Sequence, residues 1–518
     1  MWTIPFLVAF AASFGSSAAA GPVVASTTSG KLHGSRDRGA GVVSFKGVRF
    51  AHPPVRWEAP VAFTSTAAQN ATAFGAACVQ QFTSALSEQL FNNPDDPPIE
   101  SEDCLFLNVW APEYAQKSSK KLPVALWIYG GSLSFGTASL PIYDGTSFAK
   151  DQNIIFVSFN YRTNVFGFPK SPDLRLTGNN LGFMDQELAI QWVQDNIAQL
   201  GGDPDKVTIM GESAGALSVS VAIARRAPGT APFRAAVMFS GAQPSTIPTP
   251  SFDVFNAFAS AVGCGQSPGD ARMACLRQLP TEAIRNYTNQ PTSGTFGPVV
   301  DNITTFSDPL QRIRSGKTAN VPFIIGHMQD DGTLFTLGIT DLTAFLNAIS
   351  GGLVTADQVR PLYPGLSDEE IIWASYRDST FLCIAHLWAG AAVGAGVSDV
   401  YRYAYGAVFD DLQKFPNAGA WHSSELFEVF GTYNRTTATP DEAELSRTMQ
   451  TTIANFVKDP TTSPAPNWIK YVPGNTTSTL AKLSYTGNVH MNDVVDAVQS
   501  DSVDAPCALW DQFLDFRV

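Results

Sequence analysis

Charge is scarce in this chain of 518 residues: Asp, Glu, Lys and Arg together make up 15% of it, against roughly 25% in average soluble domains. Positive charge is scarcer still, with 33 Lys and Arg against 46 Asp and Glu and a net charge of −13. No basic cluster breaks that balance, so nucleic acid is not an expected partner. Internal repeats are missing, which argues against a solenoid, and no low-complexity linker separates domains. Long apolar runs are missing too. Phe381 to Val397 is nearly all apolar but carries His386 and three glycines, and it is marginal for a bilayer span, so a buried helix is expected. The C-terminus has no apolar anchor tail. Stable membrane insertion is therefore not expected. What remains, 44% apolar residues, is ample for a large buried core.

The N-terminus reads as a secretory signal. Ile4 to Ala12 form a short apolar core, and Ala18-Ala19-Ala20 supply the small residues before cleavage. The region before that core lacks Lys and Arg, so only the α-amino group is positive. The expected organisation is a signal peptide over 1–20 and one large domain over 21–518. Six cysteines form an even set, which sequence alone can pair in fifteen ways. Asn70, Asn286, Asn302, Asn434 and Asn475 head N-x-S/T sequons and are glycosylation candidates. Together these features predict a secreted, extracellular protein.

Strand-like and helical stretches alternate through the first half. Leu122 to Tyr129 is a near-continuous apolar run stopping at Gly130-Gly131, as a buried strand should. Asn153 to Phe159 repeats that pattern. Glu187 to Leu200 has helical spacing and ends at Gly201-Gly202, Lys206 to Met210 is a short strand, and Ala214 onward is helical. Val321 to Ile325 and Val400 to Ala404 add further strands. Strand, crossover helix and strand predict an α/β fold with a large, mostly parallel sheet covered on both faces.

The sharpest signal is Gly211-Glu212-Ser213-Ala214-Gly215, set between a strand and a helix. There the G-x-S-x-G pattern suits a nucleophile elbow, which lifts the serine Oγ above the sheet edge. The following helix aims its N-terminal partial charge at a developing oxyanion. A serine hydroxyl needs a base, and in this arrangement the acid and then the base follow it along the chain. Four histidines lie downstream. His386 sits in the apolar helix, and His327 comes too soon to follow an acid. His422 lies in a loop-like stretch that suits a base, while His490 stays open on order alone. The acid should end a strand, and both Asp330 and Asp331 do so. A second source of oxyanion N–H groups is Tyr129-Gly130-Gly131-Ser132, with Gly131 and Ser132 donating from the loop and Ala214 from the elbow. Glu212 adds negative charge that favours cationic His422, unless it is merely a solvated turn residue. Ser240, in Phe239-Ser240-Gly241, is placed to hydrogen-bond around the triad.

The chain resembles the type-B carboxylesterases, the family of cholinesterases, Candida-type fungal lipases and neuroligins. The resemblance rests on Phe45-Lys46-Gly47-Val48-Arg49-Phe50-Ala51, Glu102-Asp103-Cys104-Leu105-Phe106-Leu107-Asn108-Val109, Asn160-Tyr161-Arg162 and Gly211 to Gly215. It implies the α/β-hydrolase fold and serine ester hydrolysis without cofactor or metal. The family's acid immediately precedes a glycine, which selects Asp331, although most relatives carry Glu there. The His-x-x-Glu-Leu context selects His422. The resemblance also implies Cys78–Cys104, Cys264–Cys275 and Cys383–Cys507 disulfides, and a structural ion pair between Arg56 and Glu102. Ser132 departs from the usual third glycine of the oxyanion loop.

These readings lead to hydrolysis of a small-molecule or lipid-like ester in the style of a fungal secreted carboxylesterase. A lipase on longer acylglycerols is the alternative, disfavoured by the short segment 79–103 between the first two cysteines, broken by Pro94, Pro97 and Pro98. A neuroligin-like binding protein is the distant one, disfavoured by an intact set of candidate triad residues. Residues 79–103 contain no Trp, which disfavours a cholinesterase. Near Phe296-Gly297-Pro298-Val299, family positions that clamp a short acyl group correspond to Thr292 and Gly294. Thr292, Gly294 and Phe296 are therefore expected around a widened acyl pocket.

Overall fold

The computed structural model describes residues 22–244, 251–474, 476–485 and 495–514. The expected signal peptide (1–20), Asn475 and His490 lie outside the described residues.

Three short strands, β1 (Val24–Thr27), β2 (Gly30–His33) and β5 (Ala68–Asn70), make a small sheet. The main sheet holds eleven: β3 (Ser35–Asp37), β4 (Val42–Arg49), β6 (Phe106–Pro112), β7 (Leu122–Ile128), β8 (Ile155–Phe159), β9 (Gly202–Glu212), β10 (Ala235–Phe239), β11 (Phe323–Met328), β12 (Val400–Gly406), β13 (Ser478–Tyr485) and β14 (Val495–Gln499). Their spatial order is β14-β13-β12-β11-β10-β9-β7-β8-β6-β4-β3. From β13 to β8 every neighbouring pair is parallel, and antiparallel strands close both edges. The central strands β8, β10 and β11 are buried at every residue. Continuous apolar runs, not alternating ones, follow from cover on both faces.

Register shows which side chains share a face. Ile128, Gly211, Met238, Ile325 and Arg402 form one row across β7, β9, β10, β11 and β12. Helices Ala214–Ala224 and Cys383–Gly394 cover that face, both resting on Pro309–Arg314. The next row carries Trp127 and Tyr401 to the opposite face. There Thr146–Gln152 packs on Pro440–Lys458, and Tyr401 meets Phe456 edge-on at 6.1 Å. The expected elements are present with shifted ends: the helix read over Glu187 to Leu200 begins earlier, at Leu181, and finishes in a 3₁₀ turn at Leu200.

Cys78 bonds Cys104, Cys264 bonds Cys275 and Cys383 bonds Cys507. Arg56 and Glu102 form a forked ion pair, and the guanidinium also donates to the carbonyls of Leu276 and Leu279 at 2.9 Å. Asn70, Asn286, Asn302 and Asn434 are exposed. No helix of the described residues is long and apolar enough to cross a membrane; Phe381 to Val397 instead contains the helix Cys383–Gly394, whose apolar side chains are mostly buried.

Candidate active site

The parallel strands end on the same edge of the sheet, and the candidate residues come from the loops that leave β7, β9, β11 and β12. Ser213 follows β9 with φ 56° and ψ −123°, a conformation few non-glycine residues adopt. The strain thus sits on the serine itself. The flanking glycines meet a packing demand. A Cβ at Gly215 would stand 2.0 Å from the Ile128 carbonyl oxygen, and one at Gly211 2.4 Å from the Gly215 carbonyl carbon. They permit close approach of strand, turn and helix.

Asp331 leaves the end of β11 and His422 lies in the loop beyond β12. His422 Nδ1 is 2.8 Å from Asp331 Oδ1. The other carboxylate oxygen of Asp331 accepts from Ser240 Oγ at 3.0 Å and from the Met328 N–H at 2.7 Å. Three donors therefore converge on one wholly buried carboxylate. Asp330 faces elsewhere: its Oδ2 accepts from the Ala420 N–H at 2.8 Å and its own N–H donates to the Ala420 carbonyl at 3.1 Å. It fastens the acid loop to the histidine loop. His327 is a buried core residue whose pKa burial and then Arg402 hold well below the ordinary value. His386 bonds Asp504 at 3.0 Å.

Glu212 is not a solvated turn residue. It is 2% exposed, its Oε1 accepts from Ser423 Oγ at 2.7 Å and stands 3.1 Å from His422 Nε2. Burial raises its pKa, with His422 pulling the other way. For His422 burial works against the charge, yet Glu212 and Asp331 outweigh it and the pKa is raised. Phe335 and Phe381 flank the imidazole at 4.9 and 4.7 Å.

Ser213, Glu212, His422, Gly131 and Ser132 line one cavity of about 420 Å³. Gly131 (φ 95°) and Ser132 (φ 55°) form a tight turn, the Gly131 carbonyl accepting from Ser134 and Phe135. A Cβ at Gly130 would approach Ser213 Cβ to 2.9 Å, which sets the loop directly against the serine. Ala214 is buried behind it, at the N-terminus of the helix.

Of the residues expected around the acyl pocket, only Gly294 is on the cavity wall, joined there by Thr295. Thr292 is exposed and away from the lining, and Phe296 is fully buried against Phe258, 6.1 Å away. An ungapped local match could not see that the chain turns at Gly294 (φ 78°). Sequence reasoning also missed Ser423, Phe335, Tyr143 and Glu425. Glu425 is wholly buried, and among the described residues neither of its carboxylate oxygens has a partner. Burial, with Glu212 and Asp331 adding to it, pushes its pKa well above the carboxylate range. Its four-residue distance from Trp421 gave no hint of that, but its place in His-x-x-Glu was visible.

A sheet of this topology, with a strained serine after β9 and a His–Asp pair from the loops after β11 and β12, defines an α/β-hydrolase. Residues 21–358 match the model of the carboxylesterase family. The para-nitrobenzyl esterase of Bacillus subtilis (strain 168) is 31% identical over 478 residues, spanning 86% of this chain and 92% of that protein. Secreted lipase 1 of Botryotinia fuckeliana (strain B05.10) is 33% identical over 506 residues, 84% and 85% of the two chains. A solved structure of a PNB esterase superposes with a TM-score of 0.73 at 29% identity, covering 89% of this chain and 95% of that one. The chain belongs to the carboxylesterase family and is a carboxylic ester hydrolase.

Proposed function

We propose that this hydrolase is secreted and works through Ser213, His422 and Asp331 by way of an acyl-enzyme, within one domain over 21–518. The observation that carries the reading is the 2.8 Å His422–Asp331 bond at the wall of the cavity that Ser213 enters. Ser213 Oγ attacks the ester carbonyl while His422 Nε2 takes its proton. The oxyanion draws on the N–H groups of Gly131, Ser132 and Ala214 and on the N-terminus of the helix from Ala214. His422 then protonates the departing alcohol, and a water activated by the same base releases the acid. Asp331 holds the imidazole in the tautomer that leaves Nε2 able to accept. Three disulfides and exposed sequons support the extracellular assignment.

An organophosphorus serine trap tests the mechanism. It should label the wild type once, at Ser213, and leave Ser213→Ala unlabelled. Labelling of a folded Ser213→Ala protein would overturn it. A lipase is the second reading, favoured by the similarity to a secreted lipase. Faster turnover of an emulsified long-chain acylglycerol than of soluble butanoate esters would select it.

A further inference from the structure

A second cavity of about 560 Å³ lies beside the first, and Leu140 lines both. We propose that this second cavity is a subsite for the alcohol part of the ester, and that the alcohol it takes is polyhydroxylated, a sugar or polyol. The proposal rests on the ester-hydrolase reading given above. His422 Nε2 protonates the departing oxygen, so the alcohol lies on the side of the imidazole edge, where Glu212 stands 3.1 Å away. Tyr143 lines the first cavity together with Glu212 and Leu140, and its N–H donates to the Leu140 carbonyl at 3.0 Å. Leu140 is the residue that the walls of the two cavities share, so an alcohol extending from the first into the second has to pass this side chain.

The walls beyond Leu140 select the class. Phe74, Pro98 and Ile99 offer apolar faces, and Ile99 is 82% exposed. Asn93, Asp96 and Asp144 bring hydrogen-bond acceptors to the same cavity. A sugar ring has both parts of that pattern, a C–H face and a rim of hydroxyl donors. A wholly apolar alcohol would offer those acceptors no donor and would gain from the apolar walls alone. Such a remote contact binds substrate and transition state alike, so it acts through KM.

The test holds the acid constant and varies the alcohol: ethyl, naphthylmethyl and glucose-6-yl butanoate, followed by acid release at constant pH. The wild type should favour the glucose ester over the ethyl ester by about tenfold in kcat/KM, the worth of one hydroxyl bonded to a carboxylate. Asp96→Ala, a change on an exposed loop, should remove most of that preference by raising KM for the glucose ester. Leu140→Trp, which enlarges the side chain shared by the two cavities, should do the same. A wild-type ratio near one, a naphthylmethyl ester preferred to the glucose ester, or an Asp96→Ala protein with the ratio intact would each overturn the subsite while leaving ester hydrolysis standing. No turnover of any butanoate would overturn both readings.

Discussion

Replacing Asp331 by Asn should disable the enzyme, while the same change at its neighbour Asp330 should not. The two residues differ in what they hold. Asp331 accepts three hydrogen bonds, from His422 Nδ1, Ser240 Oγ and the Met328 N–H, at 2.8, 3.0 and 2.7 Å. An amide in that position has one acceptor atom and one donor group. If its oxygen keeps Ser240 and Met328, its NH₂ faces His422, and the ring must turn its proton to Nε2, where a base is required. The corresponding loss in serine-histidine-aspartate sites is about four orders of magnitude in kcat, or ~5 kcal/mol of transition-state stabilisation. Asp330 contributes Oδ2 to the Ala420 N–H at 2.8 Å, an acceptor that an amide oxygen can replace. The change should cost no more than about tenfold, the scale of one neutral hydrogen bond. The assay is kcat/KM for p-nitrophenyl butanoate, with thermal unfolding of both variants to confirm the fold. Equal losses, or a larger one at Asp330, would refute the assignment of the acid.

Ser213→Ala should lower turnover by several orders of magnitude with an unchanged far-UV spectrum; near-full activity would end the serine mechanism. In the proposed mechanism His422 must be neutral, and burial lowers its pKa but Glu212 and Asp331 outweigh that and raise it, so the acid limb of kcat/KM should lie above the unperturbed ~6.5. Glu212→Gln removes one of those charges and should move the limb to lower pH; a stationary limb would show that Glu212 does not act on the base. With Gly294 and Thr295 on the wall in place of bulky aromatics, p-nitrophenyl esters should improve from acetate through butanoate to hexanoate, by up to ~3–4-fold per methylene, and a maximum at acetate would show a closed pocket. Arg162 and Asp185 form a buried pair joined by two bonds of 2.8 Å, so Asp185→Ala should cost about 3–5 kcal/mol by leaving a buried guanidinium uncompensated; a urea midpoint close to that of the wild type would contradict this.

The sequence by itself determined what depends on near neighbours in the chain. The strand, Gly-Glu-Ser-Ala-Gly turn and helix around Ser213 form one continuous segment, so its pattern was legible, as were the apolar runs of β7, β8 and β9 that burial on both faces demands. Resemblance to a family supplied the disulfide partners and favoured Asp331 over Asp330, which periodicity left open. Tertiary structure alone decided the contacts among loops that meet only because parallel strands end on one edge of the sheet. His422 reaches Asp331 across 91 residues and Ser423 reaches Glu212 across 211. The same convergence buries Glu212, raises the pKa of Glu425 and puts Gly294 and Thr295 on the cavity wall while Thr292 and Phe296 lie off it. A cavity wall is drawn from several loops at once, each turning by its own backbone angles, and its composition is therefore a property of the packed fold and not of any one stretch of chain.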